Sequence, residues 1–184
     1  MANVFDYLAW RGDLPFSAAP FNAVDSLILS RLSYLPFDGV VPAAFTDAIR
    51  LYEAAAMMQS EELSYRLAED ERLLAALAAS RRFQSAWLCG FVNLLNPMEE
   101  KQFSAVCIRP EGELPYAAFR GTDGTLVGWK EDFNMASSSA VPSQLEAVSY
   151  LNEAAGSFTG RLRTGGHSKG GNLAVYAAAF CHPS

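Results

Sequence analysis

One serine near the C-terminal end lies in a setting that suits nucleophilic chemistry. Ser168 is the middle residue of Gly166-x-Ser168-x-Gly170, and a helix-forming run from Leu173 to Phe180 follows it. This pattern is typical of a nucleophile elbow, a tight turn between strand and helix that lifts a serine hydroxyl above a sheet. Positions two before and two after the serine are crowded in such a turn, so they must carry almost no side chain. The same glycines would also occur in an ordinary flexible loop. The assignment of a nucleophile elbow therefore depends on the rest of the chain.

A nucleophilic serine also needs hydrogen-bond donors for the negative charge of a tetrahedral intermediate. At an elbow, one donor is the backbone N–H of the residue after the serine, which here is Lys169. The other donor must come from a loop that follows an earlier strand. The candidate is Phe119-Arg120-Gly121-Thr122-Asp123, which ends an apolar run and is followed by Gly128-Trp129-x-x-Asp132.

These two motifs resemble those of the class 3 lipases of the α/β-hydrolase superfamily. In that family the oxyanion strand ends in Phe-Arg-Gly-Ser/Thr, a Trp-x-x-Asp helix follows, and the elbow reads Gly-His-Ser-x-Gly-Gly. Their order and spacing match over residues 119–175, and the helical N-terminal segment is similar to that of a bacterial branch of these proteins. Lys169 is a departure, because lipases usually carry leucine there.

The resemblance implies roles for four residues in an ester hydrolase. Ser168 would be the nucleophile, and the backbone N–H groups of Thr122 and Lys169 would hold the oxyanion. Asp132 would hold the Thr122 side chain. The residues alone leave a plainer interpretation open, in which Thr122-Asp123-Gly124 is an ordinary turn and Asp132 an exposed helix residue.

The two neighbours of the serine are poor candidates for the general base. Because His167 precedes the nucleophile, its side chain should point away from the Ser168 hydroxyl, and we expect a packing residue. Adjacent residues on a helix do not face each other. We therefore expect the Lys169 side chain at the surface rather than acting as a Ser-Lys base.

The rest of a catalytic triad is not found after the serine. An α/β-hydrolase triad runs Ser, then Asp or Glu, then His, but the sixteen residues after Ser168 contain no carboxylate side chain. His182 would lie about 21 Å along a continued helix, whereas a base must come within roughly 3 Å. We therefore expect the triad Asp and His outside this chain. For the 184 residues alone we expect no measurable turnover beyond what an oxyanion hole by itself gives.

The sequence also predicts an incomplete fold. Family members place further strands after the elbow helix, so the chain is expected to be the N-terminal part of a longer hydrolase. The strand near Leu162 would then leave an uncovered sheet edge, which offers a place for self-association.

The elements that must position these residues form one α/β domain with two parts. Residues 1–80 are predicted to be helical, with one helix capped by Asn22, one from Pro42 through Ala56, and one from Glu61 to about Ala79 capped by Ser60. Residues 86–184 are predicted to carry the sheet and the elbow. Three short apolar runs favour antiparallel strands, followed by helices, a strand over residues 161–167 and a parallel crossover. The limits of these elements are as follows: strand runs 86–95, 103–108 and 114–119, and helices 126–133 and from Pro142 to near Gly156.

Composition excludes several classes of function. A net charge of −6 argues against nucleic acid or an anionic membrane as partner. The three cysteines show no metal spacing, which favours free buried thiols in a reducing compartment. The N-terminus lacks the features of a secretory signal, and no apolar run reaches membrane-spanning length. We expect a cytoplasmic protein without metal, cofactor or transmembrane segment.

Two functions from different classes fit these observations. The first is a serine hydrolase of the lipase or esterase type that acts on a small-molecule or lipid ester, with thioester and peptide substrates left open. The second is a catalytically inactive, hydrolase-like scaffold or binding module. The departure from the family pattern at Lys169 and the missing triad residues favour the inactive scaffold. The two intact motifs favour the hydrolase.

Overall fold

The computed structural model describes residues 3–59 and 68–182, which form seven helices and five strands. The helices are α1 (Val4–Arg11), α2 (Ala23–Leu32), α3 (Leu51–Gln59), α4 (Ala68–Ala78), α5 (Leu126–Asn134), α6 (Pro142–Ser157) and α7 (Lys169–Phe180). The strands are β1 (Ile49–Arg50), β2 (Trp87–Asn96), β3 (Lys101–Arg109), β4 (Tyr116–Phe119) and β5 (Arg163–Gly166). Helices and a mixed sheet give the α/β class predicted from the sequence.

Local hydrogen bonds explain where the helix after Asn22 begins. The Asn22 side chain accepts from the backbone N–H groups of Val24 and Asp25, at 2.8 and 3.3 Å. The Asp25 carboxylate accepts from Asn22 N at 2.9 Å. This reciprocal pair satisfies donors that the first turn of a helix otherwise leaves unpaired. The predicted cap at Asn22 is therefore confirmed.

The sheet has the strand order β1-β2-β3-β4-β5. The first four strands are antiparallel, which confirms the predicted hairpins, and β5 pairs parallel to β4. Phe119, the last residue of β4, is paired with Gly166, the last residue of β5. The chain therefore leaves both strands at the same end of the sheet, where the two sequence motifs meet. Within the described residues, β5 forms an edge of the sheet.

Alternating side chains divide the core into two layers. On β4, Tyr116 and Ala118 pack with the core formed by α1 to α4, whereas Ala117 and Phe119 pack with α6 and α7 on the other face. Period-two alternation of this kind is what a strand buried on both faces requires. The sheet is thus covered on both sides, and its end carries the loops.

The helix predicted from Pro42 through Ala56 is wrong over its first part. Residues 42–48 contain no helix, Ile49–Arg50 forms β1, and α3 begins only at Leu51. The side chain of Phe45 lies against Gly90, where a Cβ atom would come within 2.4 Å of the ring, so the absence of a side chain there leaves room for it. Tertiary packing and pairing with β2 thus override the local helical pattern.

Other expectations are met only in part by the described residues. Helix α4 covers the later part of the helix predicted from Glu61, whereas its Ser60 cap and first turns lie outside the described residues. All three cysteines are free; Cys89 and Cys107 are buried, and Cys181 is half-buried. None of the described helices is long and apolar enough to cross a membrane.

Candidate functional site

Ser168 occupies a strained turn between β5 and α7. Its φ of 57° and ψ of −126° lie outside the regions that L-residues normally adopt. Among the described non-glycine residues only Glu100 and Ser168 have positive φ. A conformation of this kind costs about 1–3 kcal/mol and persists only where the surroundings hold it. The Ser168 side chain is exposed at the end of the sheet.

Close backbone packing on both sides of the turn holds this conformation. A Cβ atom placed on Gly166 would lie 2.3 Å from the carbonyl group of Gly170. A Cβ atom placed on Gly170 would lie 2.1 Å from the carbonyl oxygen of Phe119. Real contacts are much longer, so neither position accepts a side chain without a shift of the backbone. The two glycines therefore do more than punctuate a loop.

The loop after β4 lies directly beside the serine. A Cβ atom placed on Gly121 would lie 2.5 Å from the carbonyl oxygen of His167 and 3.4 Å from the Cβ of Ser168. The backbone N–H of Gly121 donates to the Tyr34 hydroxyl at 3.1 Å, which fixes the loop to the segment after α2. The next residue along this loop is Thr122.

Two backbone N–H groups near the serine have no partner within the described part of the chain. Among the described residues, neither Lys169 N nor Thr122 N takes part in a hydrogen bond. Lys169 is the first residue of α7, and the first N–H groups of a helix point outward with the positive end of the helix dipole. Unpaired donors on adjoining segments can stabilise an anionic oxygen close to an exposed hydroxyl.

Asp132 holds the side chain of Thr122. Thr122 Oγ1 donates to Asp132 Oδ2 at 2.5 Å, the contact that the resemblance implies. Asp132 is half-buried, so it is not the exposed helix residue of the plainer interpretation. A turn is also present, since Asp123 Oδ1 accepts from Thr125 N at 2.9 Å just before α5 begins. The turn and the Thr122–Asp132 contact coexist.

The expectation that the Lys169 side chain is exposed is wrong. Lys169 is buried, and its ammonium group lies 2.9 Å from Glu131 Oε2, 2.8 Å from Gln102 O and 3.0 Å from Gln102 Oε1. Since the preceding turn directs the first residue of α7 towards β3, exposure could not be inferred from helix geometry alone. The sequence contains one weak indication of a buried polar partner for Lys169, which is Gln102 at the start of the apolar run of β3.

His167 is exposed, and its ring packs edge-on against that of Tyr34, with the two centroids 6.2 Å apart. Its Nδ1 lies 3.2 Å from the Tyr34 hydroxyl. Burial raises the pKa of Tyr34 above its usual value, opposed by the hydrogen bond from Gly121 N. Tyr34 is therefore a neutral phenol near pH 7, and it links His167 to the loop before Thr122. The sequence alone predicted no role for Tyr34.

No base contacts the serine in the described part of the chain. Within residues 3–59 and 68–182, Ser168 Oγ forms no hydrogen bond with a histidine or a carboxylate. His182 follows α7, and its backbone N–H donates to Asn152 Oδ1 at 2.8 Å. The expected separation of His182 from Ser168 by the length of a helix agrees with the bounds of α7.

Comparison with known families bears on the second half of the chain. A family model described as Mbeg1-like matches residues 77–184, more than half of the chain. The chain belongs to the Mbeg1-like family. The matched region of this Mbeg1-like chain contains both Thr122 and Ser168 and all strands from β2 onward. No curated protein and no solved structure matches the chain.

Proposed function

We propose that the protein is a serine hydrolase of the lipase or esterase type and that the turn at Ser168 is the nucleophile elbow of an α/β-hydrolase fold. The observation that carries the proposal is the combination at one end of the sheet. A serine in a strained, glycine-packed turn lies beside a loop and a helix that each offer an unpaired backbone N–H. Strain of this kind is concentrated at functional sites.

The proposed reaction is acyl transfer through a covalent intermediate. Ser168 Oγ attacks the carbonyl carbon of an ester, and the carbonyl oxygen becomes negative while it accepts hydrogen bonds from Thr122 N and Lys169 N. The general base takes the proton of Ser168 Oγ during the attack and gives it to the alcohol, which leaves as the C–O bond of the ester breaks. The same base then takes a proton from the water that hydrolyses the acyl-enzyme and returns it to Ser168. We propose that a histidine and an aspartate outside this chain supply the base.

The likeness of both motifs to class 3 lipases supports an ester as the substrate. The contact between Asp132 and Thr122 adds support, because it holds the loop that would carry the second donor. Within the proposal the substrate is a small-molecule or lipid ester.

A second candidate is a hydrolase-like scaffold that does not catalyse. It is favoured by the Ser168 hydroxyl, which meets no base in the described part of the chain. A scaffold would have no use for a strained serine, so its Ser168→Ala variant should bind partners as well as the wild type does.

Reaction with a fluorophosphonate separates the two candidates. The full-length gene product should be labelled at Ser168, as located by peptide mass spectrometry, and Ser168→Ala should not be labelled. The 184 residues alone should react far more slowly, because an oxyanion hole without a base retains only a small part of the rate. Full-length protein that stays unlabelled, under conditions that label a control lipase, would contradict the hydrolase and favour the scaffold.

A further inference from the structure

A buried ion pair joins the two segments that carry the proposed oxyanion donors. Lys169 begins α7 directly after Ser168, and Glu131 lies on α5, the helix that follows Thr122. Lys169 Nζ and Glu131 Oε2 are 2.9 Å apart, and the two side chains are 1% and 0% exposed. Burial as complete as this is costly unless the remaining polar atoms are also satisfied.

Those remaining atoms are satisfied by the side chain and backbone of Gln102 and by the backbone of Ser143. The ammonium group has three protons and three acceptors, Glu131 Oε2 and both oxygen atoms of Gln102. Glu131 also accepts from Gln102 N at 3.0 Å and from Ser143 N at 2.8 Å. The carboxylate thus ties α5 to β3, to the start of α6 and to α7. Because every ammonium proton is engaged, Lys169 is not arranged to act as a base.

The network reaches Thr122 from both sides. Gln102 Oε1, which accepts from Lys169, also accepts from Asp123 N at 3.4 Å. On the other side, Glu131 is adjacent to Asp132, which holds the Thr122 hydroxyl. Any displacement of Lys169 relative to α5 therefore strains contacts on both sides of Thr122.

We propose that the Lys169–Glu131 ion pair positions the oxyanion hole, by fixing the backbone N–H of Lys169 relative to that of Thr122. This inference rests on the proposed function. Lys169, through its side chain, and Glu131 are positioning residues, since neither side chain is assigned a contact with the substrate. Preorganised donors must be held to within about 0.5 Å, and an error of 1 Å can lower a rate about 10²-fold.

Kinetics of the full-length protein test the proposal, with p-nitrophenyl butyrate as substrate and a fluorophosphonate as probe of Ser168. Lys169→Met should lower kcat by about 10- to 100-fold and leave KM within about twofold. Labelling of Ser168 should slow by the same factor. The matched control is Lys130→Met on α5, which removes an exposed ion pair with Glu100 and should behave as the wild type. A merely structural role would lower only the folded fraction, so kcat per folded molecule, with the folded fraction measured by circular dichroism, would then equal that of the control.

Lys169→Met leaves Glu131 buried and unpaired, so the variant can fail to fold. Lys169→Met combined with Glu131→Gln leaves no unpaired buried charge, and this double variant should fold and show the same loss of kcat. Folded single or double variants with kcat within about twofold of the control would overturn the inference and leave the proposed function intact. If the wild type itself neither turns over the ester nor reacts with the probe, the proposed function fails and the inference fails with it.

Discussion

A methyl group at Gly170 tests whether the turn is as closely packed as the structure indicates. In Gly170→Ala the new Cβ would lie 2.1 Å from the carbonyl oxygen of Phe119 and 2.9 Å from the carbonyl carbons of Phe119 and Arg120. Ordinary C···O contacts are about 3.3–3.6 Å. All three atoms are backbone, so no side chain can swing away. The start of α7 and the end of β4 must therefore separate by roughly 1 Å.

That separation sets the size of two effects. Overpacking of a closely packed site costs about 1–3 kcal/mol, and we expect a loss near the upper end because backbone meets backbone. The same shift moves Ser168 relative to the loop that carries Thr122. A misplacement of about 1 Å lowers reaction rates about 10²-fold, so labelling of Ser168 by a fluorophosphonate should slow by that order.

Urea unfolding and the labelling rate measure the two effects separately. The matched control is Gly156→Ala on α6, where a Cβ would meet nothing within 4 Å. That change should stabilise the helix by about 0.5–1 kcal/mol and leave labelling unchanged. If Gly170→Ala is as stable and as reactive as Gly156→Ala, the turn is not closely packed, and the glycines only punctuate a loop.

Three further substitutions test other parts of the account. Thr122→Val leaves Asp132 without its donor, and urea unfolding should show a loss of about 1–3 kcal/mol; an unchanged midpoint would contradict the contact. Asp25→Asn removes the charge paired with Arg82, and since both side chains are 0% exposed, urea unfolding should show a loss of about 3–5 kcal/mol; a loss below about 1 kcal/mol would contradict a buried pair. Burial raises the pKa of Tyr150 well above its usual value. Its contribution to the free energy of unfolding is therefore fully present below about pH 10 and is lost as pH rises further. The hydroxyl of Tyr150 has no partner among the described residues. Tyr150→Phe should therefore be at least as stable at pH 7 and lose less stability above about pH 10, as followed by thermal unfolding; an equally steep alkaline loss would contradict that assignment.

Local patterns predicted the part of the site that local geometry controls. The spacing of Gly166, Ser168 and Gly170 follows from steric crowding within five residues, so it is visible in the sequence. The three strands from Trp87 to Phe119 were predicted because short apolar runs end at Pro, Gly and Asn. The cap at Asn22 follows from hydrogen bonds within one turn of helix.

Long-range contacts account for what the sequence did not predict. Lys169 is buried because Glu131 and Gln102, which are 38 and 67 positions away, meet its ammonium group. No property of the residues next to Lys169 in the sequence predicts those two partners. Residues 42–48 have a helical pattern, yet they form no helix. The Phe45 ring instead packs against Gly90, where a side chain would exclude it. Tyr34 likewise acquires its contact with Gly121 only through the fold.

A crystal structure of the full-length protein after reaction with a fluorophosphonate tests the central claim most directly. We expect phosphorus bonded to Ser168 Oγ and a phosphonyl oxygen about 2.7–3.1 Å from both Thr122 N and Lys169 N. An adduct on another residue, or a phosphonyl oxygen that meets neither N–H group, would contradict it.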